Sequence, residues 1–287
     1  MNMKTAKLEY ILAVIIYGTI GGVLKYINLP SEIVVVCRGL IGSLFVFLFL
    51  KVRRVKMDKA AIGKNIKWLI LSGASLGLNW VFLFASYNVT TVAIGSLCNY
   101  LAPVIVVFLS PLLYKDKLTF KKVACILTAF VGIVFISGVI EGGFENVNLL
   151  GIGLGLLSAL CFVGIIIFNK KIVDIPVFDK VVIQLFISAL AVMPYAILHN
   201  IGTTIELDTR SILLTLLLCI VHTGVAYCLY FGSMPLLPVQ SISILGYIEP
   251  VMCIVISFLF LNEPLTLFGV IGAILILGSA VVSELKA

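Results

Sequence analysis

Long apolar stretches recur along the whole chain and are separated by short polar segments. A helix of about 20 apolar residues crosses the roughly 30 Å hydrocarbon core of a bilayer, because each residue adds about 1.5 Å. None of the stretches shows the alternation typical of a membrane barrel strand. The pattern predicts ten transmembrane helices, near residues 8–27, 33–50, 68–87, 91–114, 123–140, 150–169, 181–198, 212–231, 239–261 and 267–282.

The composition indicates that lipid, not water, surrounds most of the chain. Of the 287 residues, 62% are apolar and only 11% are charged, whereas soluble proteins are about half apolar and a quarter charged. The first apolar stretch is too long for a cleaved signal core and lacks a small-x-small processing site. We therefore expect an all-α, multi-pass protein of the inner or plasma membrane, with lipid as its first partner.

The distribution of basic residues predicts the orientation. With the N-terminus inside, 17 of the 20 Lys and Arg residues fall on the cytoplasmic side, as the positive-inside rule requires. Both termini are therefore expected to be cytoplasmic.

The formal charge of +7 is spread over short clusters, which argues against a nucleic-acid partner. The seven cysteines lie in apolar stretches without a C-x-x-C pair, so no metal or other cofactor is expected.

An internal repeat divides the chain. Shifting the sequence by 147 residues aligns residues 71–123 with residues 218–270, and 14 of these 53 positions are identical. Weaker matches extend the repeat towards the start of each half. Five helices is an odd number, so the second unit must enter the membrane upside down, as in many secondary transporters. We predict two inverted five-helix repeats, residues 1–145 and 146–287.

Two copies of one sequence pattern suggest a family. The first copy reads NYLAPV at residues 99–104 followed by DKLT at 116–119, and the second reads YIEPV at 247–251 followed by EPLT at 263–266. This pattern resembles the EamA family of the drug/metabolite transporter superfamily, although Asp116 stands where Glu is more usual. The resemblance implies a ten-helix bundle that moves small metabolites, often amino acids and frequently outward.

Ionisable side chains inside a bilayer are costly, so they are the first candidates for a site. Glu249 lies halfway along the ninth predicted helix, where the following Pro250 removes a backbone donor and loosens the helix. Its carboxylate could hold a substrate ammonium or a coupling proton. The alternative is a structural group that bonds neighbouring helices or pairs with Arg38.

Two more ionisable residues lie within predicted helices. Arg38 could clamp a substrate carboxylate with its planar fork; alternatively, it reaches the outer interface or locks two helices together. His222 could titrate near neutral pH and carry a coupling proton, or it could be an interhelical hydrogen-bonding partner. Near the outer ends, Lys25 is expected to anchor at the interface. Glu263, like Asp116, is expected to cap the helix that follows it.

Polar and small residues form matching stripes on the fourth and ninth predicted helices. The stripes are Ser96, Asn99, Pro103 and Ser110, and Ser243, Gly246, Pro250 and Ser257. Asn99 is the largest polar member, so we predict that the stripes line a substrate path between the repeats; helix packing is the alternative. Aromatic rings attract cations, and four of them are predicted to wall this path, with core packing as the alternative: Trp80, Tyr100, Tyr227 and Tyr247.

The residues contain no pattern typical of an enzyme. The glycine-rich segment at residues 151–155 lacks a Walker lysine and a preceding strand. We therefore predict a secondary transporter of small organic metabolites, first of all amino acids or related amines, that exports them by alternating access. A lipophilic-cation or drug exporter and a non-transporting receptor or assembly subunit are the alternatives. Proton coupling and the choice between monomer and homodimer stay open.

Overall fold

A computed structural model describes residues 2–114, 119–138, 140, 148–205 and 207–284. These residues form helices and turns, and no strand occurs among them. In chain order the helices are α1 (Met3–Gly18), α2 (Ile20–Leu24), α3 (Ser31–Val52), α4 (Lys59–Val89), α5 (Val92–Asn99), α6 (Ala102–Tyr114), α7 (Phe120–Ile136), α8 (Leu149–Asn169), α9 (Val177–His199), α10 (Thr209–Leu217), a π-helical segment (Leu218–Val225), α11 (Ala226–Ser233), α12 (Val239–Gly246), α13 (Ile248–Leu261) and α14 (Leu267–Glu284).

Eight helices or runs of consecutive helices in the described part of the chain are long and apolar enough to cross a membrane. They are Met3–Leu24, Ser31–Val52, Lys59–Val89, Val92–Leu112, Leu149–Asn169, Val177–His199, Thr209–Leu236 and Ile244–Leu261. The stretch Leu267–Val282 is apolar but shorter, and α7 has 17 residues. The chain is thus a helical polytopic membrane protein, while the count of ten spans and the orientation of the termini stay predictions.

The third helix begins well before its predicted position. α4 has 31 residues and starts at Lys59, where the Asp58 side chain accepts a hydrogen bond from the Ala61 N–H at 2.9 Å. Hydropathy marks the part of a helix that lipid covers, whereas the helix itself extends until a cap ends it. The basic residues of this connection therefore continue the helix beyond its apolar part.

Two helices predicted to be continuous are broken. α5 ends at Asn99 and α6 starts at Ala102, and α12 ends at Gly246 before α13 starts at Ile248. In both cases a proline follows in the first turn of the second half, where its missing N–H has no helical partner to lose. The expectation that Pro250 loosens the middle of a continuous helix is therefore wrong. The helix restarts before it and places Glu249 in the first turn of α13.

A π-helical segment interrupts the eighth predicted helix at Leu218–Val225. The Thr223 hydroxyl donates to the Leu218 carbonyl, five residues back, at 3.0 Å. The corresponding residues 71–78 lie inside α4, which is regular α-helix. π-Helical turns often occur at functional sites, and this one lies beside the candidate site described below.

Equivalent helix starts recur about 146 residues apart. The Asn2 side chain accepts from the Thr5 N–H at 2.8 Å, and the Asn148 side chain accepts from the Gly151 N–H at 2.9 Å. The other matched starts are Pro30 with Pro176 and Thr119 with Thr266.

The candidate site lies on the largest apolar cluster of the described residues. This cluster joins buried residues of α2, α3, α4 and α9 with residues of α5, the π segment and α13. A second cluster joins α5 and α6 with α7, α8 and α14.

Candidate substrate site

Glu249 is the acidic centre of the candidate site. It is half-buried in the first turn of α13, where the positive end of the helix dipole favours a carboxylate. The carboxylate interacts with the Tyr100 hydroxyl and, electrostatically, with Arg38. Further tyrosine hydroxyls share its electrostatic surroundings: those of Tyr17, Tyr87, Tyr227 and Tyr230. A carboxylate that has several tyrosine hydroxyls in its surroundings suits an amine.

Arg38 is the basic centre of the same site. Its side chain is 1% exposed, so it does not reach the outer interface, which was one of the alternatives. Its Nε donates to the Thr223 hydroxyl at 3.1 Å. The guanidinium carbon lies 4.1 Å from the centroid of the Trp80 ring and 5.4 Å from that of Phe84. The predicted wall residue Trp80 therefore supports the cation directly.

An aromatic cluster on α1 and α11 contains three of the tyrosines that interact electrostatically with Glu249. The Tyr17 ring meets the rings of Tyr227 and Tyr230 edge-on, at centroid distances of 5.7 and 5.6 Å. Tyr230 also stacks on Tyr10 at 4.9 Å. Sequence reasoning found Tyr227 but missed Tyr10 and Tyr17; these two are seven residues apart, and that spacing places them on one face of α1.

A glycine lets α1 approach this site closely. A Cβ added at Gly18 would stand 2.4 Å from the Met252 Cβ and 2.8 Å from the Glu249 carbonyl oxygen. Both distances are shorter than any normal contact, so any larger residue would separate α1 from α13. Gly18 therefore holds the tyrosines of α1 against the helix that carries Glu249.

Asn99 has a different neighbourhood from the one predicted. Its side-chain oxygen accepts from the Asn79 amide at 2.8 Å and from the Ser158 hydroxyl at 3.1 Å. The Asn79 amide also donates to the Ser158 carbonyl at 2.8 Å. This network ties α5, α4 and α8 together, and Asn79 was not singled out from the sequence. The Asn99 oxygen is thus used between helices, as in the packing alternative.

Tyr247 and His222 occupy the edges of the site. Tyr247 packs against the second apolar cluster, whereas its repeat mate Tyr100 faces Glu249. His222 is 5% exposed; its Nε2 is hydrogen-bonded to the Thr19 hydroxyl at 2.9 Å, and its Nδ1 lies 3.3 Å from the Leu217 carbonyl oxygen. The ring therefore bridges the π segment and the break between α1 and α2, which matches the interhelical alternative.

Glu263 does not cap the helix that follows it, and that expectation is wrong. Thr266 caps α14 by accepting from the Gly269 N–H at 3.0 Å. Glu263 instead accepts from the Val92 N–H at 2.9 Å, at the start of α5, and its carboxylate lies 3.3 Å from the Lys25 Nζ. Lys25 is therefore half of an ion pair and not a simple interface anchor. Asp116 and the side chain of Ser243 lie outside the described residues.

The site combines one carboxylate, one guanidinium and a ring of aromatic side chains. Such a set can bind a cationic group, an anionic group, or both on one molecule, and the rings can enclose an apolar side chain. Among the described residues, no group of three or more His, Cys, Asp or Glu residues is placed to hold a metal ion.

Comparison with known proteins identifies the family. A profile of the EamA-like transporter family matches two segments, residues 7–138 and 149–284. An uncharacterized transporter of Bacillus subtilis, YxxF, is 29% identical over 276 residues, which cover 95% of this chain and 87% of YxxF. Protein PecM of Dickeya dadantii is 24% identical over 234 residues, covering 78% of this chain and 77% of PecM. A solved crystal structure has the same fold, with a TM-score of 0.64 at 17% identity over 97% of both chains. The chain therefore belongs to the EamA-like transporter family.

Proposed function

We propose that the protein is a secondary transporter that exports small organic metabolites by alternating access, with amino acids or related amines as the first substrate class. The observation that carries this proposal is the half-buried Glu249 carboxylate, which interacts with the Tyr100 hydroxyl and, electrostatically, with further tyrosines. Polar groups at this depth are costly unless they are used or paired. Glu249 and the hydroxyls bind the ammonium, and the rings enclose an apolar side chain.

The proposed architecture has ten spans in two inverted repeats, residues 1–145 and 146–287, with cytoplasmic termini. Three observations support it. The family profile matches two separate segments, the helix starts recur about 146 residues apart, and the two broken helices are interrupted at the repeat mates Tyr100 and Tyr247. In such folds, substrates bind near the midplane, between the repeats and at discontinuous helices.

A lipophilic-cation exporter is the second candidate. Its support is the same carboxylate with its aromatic surroundings, since quaternary and protonated amines bind to aromatic faces. A non-transporting receptor or assembly subunit is a third candidate, for which the enclosed Glu249 and Arg38 side chains have no evident use. Glu249 and His222 are the groups that could carry a coupling proton. Glu249 is the better placed, because it is itself among the residues proposed to bind the substrate.

Reconstituted protein tests the proposal directly. Labelled amino acids and amines are offered to proteoliposomes with and without a pH gradient. Glu249→Gln should lower the transport of amines and amino acids at least tenfold, because the amide cannot neutralise an ammonium, while the protein still purifies as a monodisperse species. Asp174→Asn, whose side chain is 82% exposed, is the matched carboxylate-to-amide control and should transport normally. Transport by Glu249→Gln with unchanged rate and pH dependence would contradict the proposal.

A further inference from the structure

Arg38 carries a buried positive charge without a counter-ion in direct contact. No carboxylate of the described residues lies within ion-pair distance of it, and the side chain is 1% exposed. A guanidinium keeps its charge under all ordinary conditions and has five N–H donors to satisfy. A buried charge without a partner costs free energy. An anion bound beside Arg38 would lower that cost.

The protein holds one edge of the guanidinium firmly. Nε donates to Thr223, whose hydroxyl in turn donates to the Leu218 carbonyl across the π-helical turn. The Trp80 ring supports the flat face at 4.1 Å. These contacts fix the plane and the direction of the group, and they use the donor nearest the aliphatic stem.

The other edge has an unsatisfied donor. Nη1 of Arg38 is buried and makes no hydrogen bond within the described residues. The Tyr17 hydroxyl is likewise buried without a hydrogen-bonding partner there, and the whole residue is 9% exposed. Tyr17 interacts electrostatically with both Arg38 and Glu249. Its ring also contacts that of Tyr227 at 5.7 Å, about one turn after Thr223, which bonds Arg38. Buried polar groups without partners are uncommon, and two of them here share one neighbourhood.

We propose that Arg38 and Tyr17 form a carboxylate subsite, so that the transported molecule is a zwitterion with its carboxylate on these two donors and its ammonium at Glu249. The two oxygens of a carboxylate accept bonds from a guanidinium Nη and a hydroxyl at the same time. The proposal rests on the function proposed above and narrows it from amines in general to amines that carry an acidic group.

Selectivity follows from the cost of leaving Arg38 unpaired. An amine that lacks the carboxylate would satisfy Glu249 but would bring a second positive charge near an unsatisfied guanidinium. Sites built to hydrogen-bond a polar group of the substrate reject analogues without that group by up to about 10⁵-fold. Because Arg38 and Tyr17 bind the carboxylate through only a few donors, we expect the protein to prefer the amino acid over the matching amine at least tenfold.

Paired substrates that differ only in the carboxylate test the subsite. Leucine is compared with isoamylamine, and phenylalanine with phenethylamine, in proteoliposomes. The wild-type protein should prefer each amino acid at least tenfold in initial rate. Arg38→Gln should abolish the preference and raise amine transport, because repulsion of the ammonium is removed. A merely structural role for Arg38 would lower the transport of both amines and amino acids.

Tyr17→Phe should raise the KM for the amino acids several-fold without changing the KM for the amines. Tyr26→Phe, which removes a hydroxyl bonded to the Phe260 carbonyl at 3.2 Å on the exposed surface, is the control.

Ligand-induced thermal stabilisation in detergent gives a second measurement, independent of transport. Leucine should raise the Tm of the wild-type protein and not that of Arg38→Gln. Equal transport of amine and amino acid, unchanged by Arg38→Gln, would overturn the carboxylate subsite while amine transport stands. If neither class is transported or bound, the proposed function fails and the subsite with it. If Arg38→Gln does not fold, an unchanged selectivity ratio in Tyr17→Phe is enough to reject the subsite.

Discussion

Glu263 joins three elements, and its removal should measurably destabilise the protein. Its carboxylate pairs with Lys25 beyond the end of α2 at 3.3 Å, accepts from the Val92 N–H at the start of α5, and accepts from the Ser257 hydroxyl of α13. Lys25 also donates to the Thr90 carbonyl at 3.1 Å. The two side chains are 26% and 12% exposed, so water screens the pair only partly.

The expected loss for Glu263→Gln is about 2 kcal/mol. The amide can still accept from Val92, but it gives up the charge. A partly buried ion pair lies between the roughly 0–1 kcal/mol of surface pairs and the 3–5 kcal/mol cost of breaking a buried one. The charged hydrogen bonds to Val92 and Ser257 each weaken as well. For a chain of this size, about 2 kcal/mol corresponds to a fall in Tm of roughly 4 °C.

The chain provides a matched control for burial. Lys64 and Asp174 form a pair of similar length, 3.4 Å, but their side chains are 63% and 82% exposed. Asp174 has a left-handed backbone, with φ of 52°, which Asn tolerates well, so Asp174→Asn adds no strain. We expect it to shift Tm by about 1 °C or less. Thermal unfolding of both purified variants, with Lys25→Met and the double variant to isolate the pairwise energy, measures the difference. Equal shifts in the two carboxylate-to-amide variants would refute the reasoning.

Two further predictions concern topology and helix packing. With both termini cytoplasmic, single cysteines placed at Lys56 and at Glu145 in a cysteine-free background should label from opposite sides of the membrane; labelling from one side would reject an odd number of spans between them. Gly18→Ala should destabilise the protein by about 1–3 kcal/mol, because the added methyl group meets the Glu249 carbonyl oxygen at 2.8 Å. Gly153→Ala, where an added Cβ meets no atom within 4 Å, should be neutral in the same unfolding measurement.

Sequence reasoning succeeded where the signal was local. The helical membrane class and the approximate position of each apolar helix follow from hydropathy alone, because lipid requires the same apolar length wherever a helix crosses it. The family also follows from the sequence, because the NYLAPV and YIEPV patterns are contiguous. Glu249 and Arg38 stand out as charges in apolar surroundings. The break before Pro250 escaped prediction, because a proline is compatible both with a kinked helix and with the first turn of a new one.

Which side chains meet was decided by the tertiary structure. The partner of Glu263 is the start of α5, 171 residues away in the chain, and no local pattern encodes that distance. The π-helical turn that presents Thr223 to Arg38 occurs in the second half, whereas the corresponding stretch of α4 is regular helix. The internal repeat therefore does not predict this turn. Tyr17 reaches the site because Gly18 lets α1 approach α13. The sequence by itself determined which segments are helical and that Arg38 and Glu249 lie within apolar ones. The rotation and close approach of the helices, which depend on packing across the whole bundle, brought Arg38, Tyr17 and Glu249 together at the candidate site.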